Sequence, residues 1–464
     1  MRIPLIVGVA VAVMCGAGSA QEAPDKWALH EWGTFTSLQS EQGGTIGWIN
    51  TEDEPVPGFV HRLRRSLLVP IDDLAPVLSK GAPEVHPDVL VRLETPVVYF
   101  HPPKGARLPV TLDLRVQFRG GWLTEYYPDG QSVAPGLDPR DAGFGRIRAD
   151  AVGSLEWKGL KVGKDSGFPE TKEAVWLAPR NVKAAAITAA SGESERFLFY
   201  RGVGYLTAPL AAVQSEDGAS YSIRGRLPAE LSPKAPIGIP RMWLADIREN
   251  GSAAFRALPP ASLPGELDAE IARIPSGFSE GDYSPARMLD LRKDMREGLI
   301  ADGLFADEAD ALLNTWQASY FQAAGLRLFF LVPRAWTDHV LPLTSTLPCE
   351  MTRVMVGRLE LVTPGQRGCL KRIAAAKACS ALWYFDWMKK HPEAVRRHEQ
   401  RRREGDLQSL RQDCVSIPDD YLAYLELGRF RNALVLDEYR ANGSAQVLKF
   451  IKTYDLAPSR GFQR

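Results

Sequence analysis

Cysteine and histidine are scarce in this sequence: five cysteines and seven histidines in 464 residues. No two cysteines form a C-x-x-C pair, which excludes a cysteine-paired zinc site and a c-type haem attachment. No charge predominates either. Lys plus Arg total 56 and Asp plus Glu total 56, so no global field draws the chain to nucleic acid or to an anionic membrane. After residue 20 no apolar run reaches the roughly 20 residues that a bilayer-spanning helix needs. The nucleophile elbow G-x-S-x-G is missing. Gly159 to Lys164 is one residue short of a phosphate loop and is followed by Asp165. His30-Glu31 has Thr34 where a zinc-protease helix carries its second histidine. What remains is a chain of ordinary soluble composition, 45% hydrophobic and 24% charged. Its length allows two or three domains at roughly 150 residues each.

The N-terminus reads as an export signal over residues 1–20. Arg2 supplies the positive charge, Ile3 to Met14 is apolar, and Gly18-Ser19-Ala20 offers small residues for cleavage before Gln21. The mature chain is expected to be periplasmic or secreted, with no transmembrane anchor once the signal is removed. Four cysteines then remain, Cys349, Cys369, Cys379 and Cys414, and an oxidising compartment favours two disulfides among them.

Residues 21–260 read as an antiparallel β domain. From Leu108 to Phe118, Val110, Leu112, Leu114, Val116 and Phe118 alternate with polar residues, the period of a strand with one wet face. Shorter strands are expected at Trp27–Phe35, Val97–Phe100, Trp122–Tyr127, Leu155–Val162, Val175–Leu177, Arg196–Tyr200, Ser220–Leu227 and Ala253–Leu258. Pro96 marks a bulge or an edge. Gly- and Pro-rich turns between them favour a sandwich-like arrangement. Residues 261–464 read as mainly helical with a few strands. Ser284-Pro285 caps a helix bearing Met288, Leu291, Met295 and Leu299 on one face. A second starts near Asp307, strands follow at Leu326–Val332 and Arg353–Val362, and helices are expected over about 366–390, 393–412, 419–440 and 445–455. The predicted class is α+β.

Several phrases together carry a resemblance: His30-Glu-Trp-Gly-Thr-Phe-Thr36, Asp53-Glu-Pro-Val-Pro-Gly-Phe-Val-His-Arg62, Leu93-Glu-Thr-Pro-Val-Val-Tyr-Phe100, Phe197-Leu-Phe-Tyr-Arg-Gly202 and Gly325-Leu-Arg-Leu-Phe-Phe-Leu-Val-Pro333. Over most of the mature chain the sequence resembles a family of exported bacterial proteins that share the His-Glu-Trp-Gly-Thr-Phe-Thr segment. The resemblance implies export and a shared fold. It supplies no activity, cofactor or catalytic residue.

The densest polar constellation is N-terminal. His30, His61, His86 and His101 fall within about seventy residues, interleaved with Glu52, Asp53, Glu54 and Glu94. On a regular strand His30 and Glu31 face opposite ways unless Gly33 bulges the chain. A hairpin turning at residues 41–43 would set His30 opposite Asp53 or Glu54. Imidazole beside carboxylate is the arrangement of an oriented general base or of a metal ligand with its supporting partner. The candidate site residues are therefore His30, Asp53, Glu54, His61 and Glu94. The plainer alternative is a structural histidine–carboxylate hydrogen bond.

Two functions of different class follow. One is binding of an envelope or extracellular ligand through the β domain, where Trp27, Trp32, Trp48, Trp122, Tyr126, Tyr127, Trp157 and Trp176 crowd together. The other is a metal-assisted or His/carboxylate hydrolase with its site in the N-terminal domain. The sequence names no cofactor and no particular metal. The tryptophans also suit a packed core, and the basic run Arg396 to Arg403 suits a solvated helix face with Glu393–Arg397 and Glu399–Arg403 pairs. Asp338-His339 follows a buried strand and is a further place to look.

The cysteine spacing suggests a connectivity. In one helix over 366–390, Cys369 and Cys379 would lie about 15 Å apart along the axis, beyond the roughly 7 Å that a disulfide tolerates. His391-Pro392 then breaks the helix. An antiparallel hairpin about that break pairs Cys369 with Cys414 and leaves Cys349 for Cys379. The pairing Cys349–Cys369 with Cys379–Cys414 stays open if the second helix is shorter or tilted.

Overall fold

The computed structural model describes residues 24–50, 55–63, 78–79, 82–83, 85–136, 145–231, 236–263, 268–376, 389–403 and 418–456. The export signal expected over residues 1–20 lies outside them. Shorter strands aside, the first half runs β1 (Ala28–Gln39), β2 (Thr45–Ile46), β3 (His61–Arg62), β4 (Val91–His101), β5 (Val110–Arg119), β6 (Gly121–Tyr127), β7 (Val152–Val162), α1 (Ala174–Arg180), β8 (Ile187–Thr188), β9 (Ser194–Glu195) and β10 (Leu198–Gly204). The second half runs β11 (Met242–Ile247), β12 (Ala253–Leu258), α2 (Pro285–Ala301), α3 (Ala306–Thr315), β13 (Gly325–Leu331), α4 (Arg334–Val340), β14 (Glu350–Leu361), α5 (Pro364–Ala375), α6 (Pro392–Arg403), α7 (Asp419–Glu426), α8 (Arg431–Asn442) and α9 (Ala445–Thr453). The class is α+β, with most helices in the second half.

One large, mainly antiparallel sheet organises the chain, in the order β9-β8-β7-β6-β10-β4-β1-β14-β13-β11-β12. At its centre β1 pairs antiparallel with β4 and parallel with β14, the latter from Ala28↔Glu350 to Gln39↔Leu361. The sheet thus draws strands from both sides of residue 260. Residues of β5 alternate between buried and solvated, as their period of two predicts. Strand β4 is longer than Val97–Phe100 because both its neighbours, β1 and β10, pair along it. Opposite Gly33 its register slips, and Thr95, just before Pro96, takes a φ of 47°. Pro96 does mark a bulge.

Burial explains which faces pack where. Leu29, Phe35, Val98 and Phe100 join one core, shared with the small three-stranded sheet through Leu210, Tyr221 and Ile274. Trp32, Val97, Tyr99, Val354 and Val356 face the other way and are covered by α2 and α3. The predicted face of α2, Met288, Leu291, Met295 and Leu299, is the buried one, and Ser284 caps the helix by accepting from the Arg287 N–H. A third core joins α5, α7, α8 and α9. The tryptophans fill these cores: Trp32, Trp122, Trp157 and Trp176 are fully enclosed. They form no exposed stacking platform.

Three local expectations are corrected. Val175–Leu177 lies in a helix, not a strand: Val175, Trp176 and Pro179 are its buried positions, a helical spacing that three apolar residues alone cannot reveal. The helix expected over 366–390 stops at Ala375, where extended Ala376 bonds back to the Ile373 carbonyl and tightens the last turn. The helix expected over 419–440 is two helices, divided at Gly428, whose φ of 80° ends the first. Cys349 and Cys369 are free thiols and pack against different cores. Cys379 and Cys414 lie outside the described residues.

Candidate metal centre

Strand β1 sends His30 toward the α3 side of the sheet, on the same face as Trp32. Across the pairing, His30 is opposite Tyr99 on β4 and Thr352 on β14, while His101 is opposite Ala28. Two residues apart on adjacent strands, His30 and His101 are diagonal neighbours on one face. Their rings meet edge to face, with centroids 4.9 Å apart. Helix α3 starts directly above them, and its third residue, Glu308, reaches down between the two rings.

Each carboxylate oxygen takes one imidazole. Glu308 Oε2 lies 2.8 Å from His30 Nδ1, and Oε1 lies 3.0 Å from His101 Nε2. Oε2 also accepts the Phe305 N–H at 2.8 Å, so the helix start holds the carboxylate in place. The Phe305 ring lies against both histidines, with centroids 4.5 Å from His30 and 4.9 Å from His101. His30, His101 and Glu308 are 5%, 3% and 0% exposed. Burial pushes the Glu308 carboxyl up, but hydrogen bonds from His101 and His30 outweigh it and hold the group below its ordinary value. The partial positive charge at the helix N-terminus acts in the same direction. Tyr99 is raised well above a normal phenol by burial and by the nearby Glu308 and Asp307 charges; it donates to the Pro179 carbonyl.

The donor atoms of His30, His101 and Glu308 lie within 4.8 Å of one another. Two imidazole nitrogens and one carboxylate oxygen are a ligand set for zinc or for iron(II), with further positions left to other donors. Without metal, the same atoms make a histidine–carboxylate–histidine bridge between β1, β4 and α3.

The remaining predicted residues are placed elsewhere. His61 is on β3, half-buried, with Nε2 2.9 Å from Glu193 and its ring stacked on Tyr126 and Tyr127. Glu94 pairs with Arg92, and its backbone carbonyl accepts from Thr34. Neither shares the His30 bridge. Asp53 and Glu54 lie outside the described residues. The hairpin invoked for them stops early: β1 and β2 pair only at Leu38↔Ile46 and Gln39↔Thr45, because β4 occupies that side of β1 toward His30. Glu31, on the opposite face, accepts from Tyr200 and Arg353. Asp338 ties Arg334 and Arg353, and His339 meets Arg119, so this pair builds no shared cleft with His30.

Sequence reasoning missed Glu308 and left His101 out of the site. His101 had a signal: it extends the strand Leu93–Phe100 by one residue on the Tyr99 face. Glu308 had none, since 278 residues separate it from His30.

No family model matches the sequence, and none of the curated proteins does. Among solved structures the chain is similar to the Fcho1 mu homology domain of Danio rerio with bound Eps15 peptide, at a TM-score of 0.22 and 10% identity, over 74% of this chain and 96% of that one. A likeness of that size carries no argument about fold or function.

Proposed function

We propose that the protein is an exported metal-binding protein of bacterial type, periplasmic or secreted, in which His30, His101 and Glu308 hold one divalent transition-metal ion. One observation carries the reading: three donors of zinc- or iron-binding chemistry, from two strands and a helix, converge within 4.8 Å in the interior. Export is supported by the sequence of residues 1–20 and by the family resemblance. The hydrolase reading keeps His30 as a ligand but loses His61 and Glu94, which have partners of their own. The envelope-ligand reading loses its aromatic platform to the cores.

Elemental analysis of protein purified without chelator tests the proposal. About one zinc, iron or manganese per chain is expected, lost in His30→Ala, His101→Ala and Glu308→Gln. Where the ion is lost in purification, added Zn2+ should bind with the same dependence. Protein that is metal-free and takes up none of these ions overturns the proposal. Bound metal should also raise stability, by about 2.7 kcal/mol at a hundredfold excess over the dissociation constant.

A further inference from the structure

We infer that Phe305 gates the metal centre, admitting only small donors, of the size of water or azide, to the coordination positions that His30, His101 and Glu308 leave open. The inference rests on the metal-centre reading above. Three protein donors leave a tetrahedral ion one position and an octahedral ion three, so who reaches those positions decides what the centre can do.

Four observations single out Phe305. Its ring covers both imidazoles, tilted over His30 and edge-on to His101. It is half-buried, while the three ligands are buried, so the solvent side of the site runs past this ring. Its N–H holds Glu308 Oε2, which fixes the ring relative to the carboxylate. Lastly, it sits at the N-cap of α3, with no side-chain cap bond of its own. Ser, Thr, Asp and Asn are preferred there, and Phe can accept no hydrogen bond from the first turn. A residue that breaks a local rule without local gain points to a role beyond the helix. Tyr99, fully buried, also borders the site, its ring centroid 6.3 Å from that of His101.

Cobalt(II) in the full chain reports the gate, because its visible spectrum changes when an exogenous ligand enters the inner sphere. Azide and the bulkier imidazole are titrated into Co2+-loaded wild type, Phe305→Leu and Phe305→Ala. Azide should shift the spectrum in all three. Imidazole should shift it only in Phe305→Ala, or at least tenfold more tightly there than in wild type. Phe305→Leu, which keeps apolar bulk at the helix start, should still exclude imidazole. Equal imidazole binding by wild type and Phe305→Ala overturns the gate and leaves the metal centre standing. So does a Co2+ spectrum that neither ligand moves in any of the three proteins. Absence of any Co2+ uptake by wild type overturns the metal centre, and the gate with it.

Discussion

His30 and Glu31 are consecutive in sequence and belong to two separate buried networks. His30 leaves β1 toward α3 and meets Glu308. Glu31 leaves it on the other face and meets Tyr200 and Arg353, each at 2.5 Å. The alternation of a strand divides the two side chains, so a substitution at one should leave the other's partners in place.

Glu308→Gln isolates the bridge. In the presence of chelator the variant keeps side-chain volume but loses the charge that receives two imidazoles. Hydrogen bonds to a charged group contribute roughly 1.5–3 kcal/mol each, and an amide recovers part of that, so a loss of about 2–4 kcal/mol is expected. It should appear in urea denaturation as a lower midpoint with an unchanged slope. A change within about 0.5 kcal/mol, the range of ordinary surface substitutions, would deny the bridge any structural role.

Acid sensitivity should trace in part to Glu41, in the turn between β1 and β2. Burial pushes its carboxyl up, but hydrogen bonds from Arg367 at 2.7 and 2.8 Å, with that residue's charge, pull it further down, and the group ends below its ordinary value. A group depressed on folding contributes its full stability above the unfolded value and loses it as the pH falls through the folded one. Wild type should therefore exceed Glu41→Gln by about 1 kcal/mol above roughly pH 5. The two curves should converge on further acidification. Parallel curves down to the acid unfolding limb would contradict this.

Gly33→Ala should be costly although Gly33 has an ordinary φ. A Cβ there would lie 2.9 Å from Pro96 Cα, a backbone atom that cannot swing aside. Overpacking of this kind costs roughly 1–3 kcal/mol. Calorimetry should show the lower melting temperature, and metal affinity should fall too, since His30 lies three residues away on the same strand. A neutral effect would mean that the bulge is freely adjustable.

The cysteines give a prediction for protein recovered from an oxidising compartment. Cys349 and Cys369 pack against different cores, so non-reducing peptide maps should contain no Cys349–Cys369 peptide. Because α5 ends at Ala375, the single-helix geometry that excluded Cys369–Cys379 no longer applies. Cys369–Cys414 with Cys349–Cys379 remains our proposal for protein from an oxidising compartment, although both Cys349 and Cys369 are unbridged in the structure. A Cys349–Cys369 link, or free Cys349 and Cys369 thiols in that protein, would refute it.

Much of the fold was legible because its signals are local. The alternation in β5, the Ser284-Pro285 start of α2 and the turn glycines each speak within a few residues. Pro96 announced its own bulge. Val175–Leu177 misled because three apolar residues fit either period, and the helix through residue 390 failed because nothing local marks Ala376 as its end. The site was half legible. His30 could be singled out from scarce histidines, but its partners depend on which strand lies beside β1 and which helix lies above it. The nearby carboxylates in sequence, Glu31 and Glu94, were claimed by arginines. The one that reached His30 came from the far half of the chain.

The parallel pairing of β1 with β14 ties the start of the described chain to residues more than 320 positions later. The middle of the sheet cannot be completed until the chain is available through Leu361, a long loop closure that slows folding. A truncation after residue 260 would leave one whole edge of β1, twelve residues of backbone, without its partner strand. Such an edge is a template for association with other chains. The N-terminal fragment should therefore form aggregates or strand-exchanged oligomers, and supplying residues 261–464 as a separate chain should suppress them.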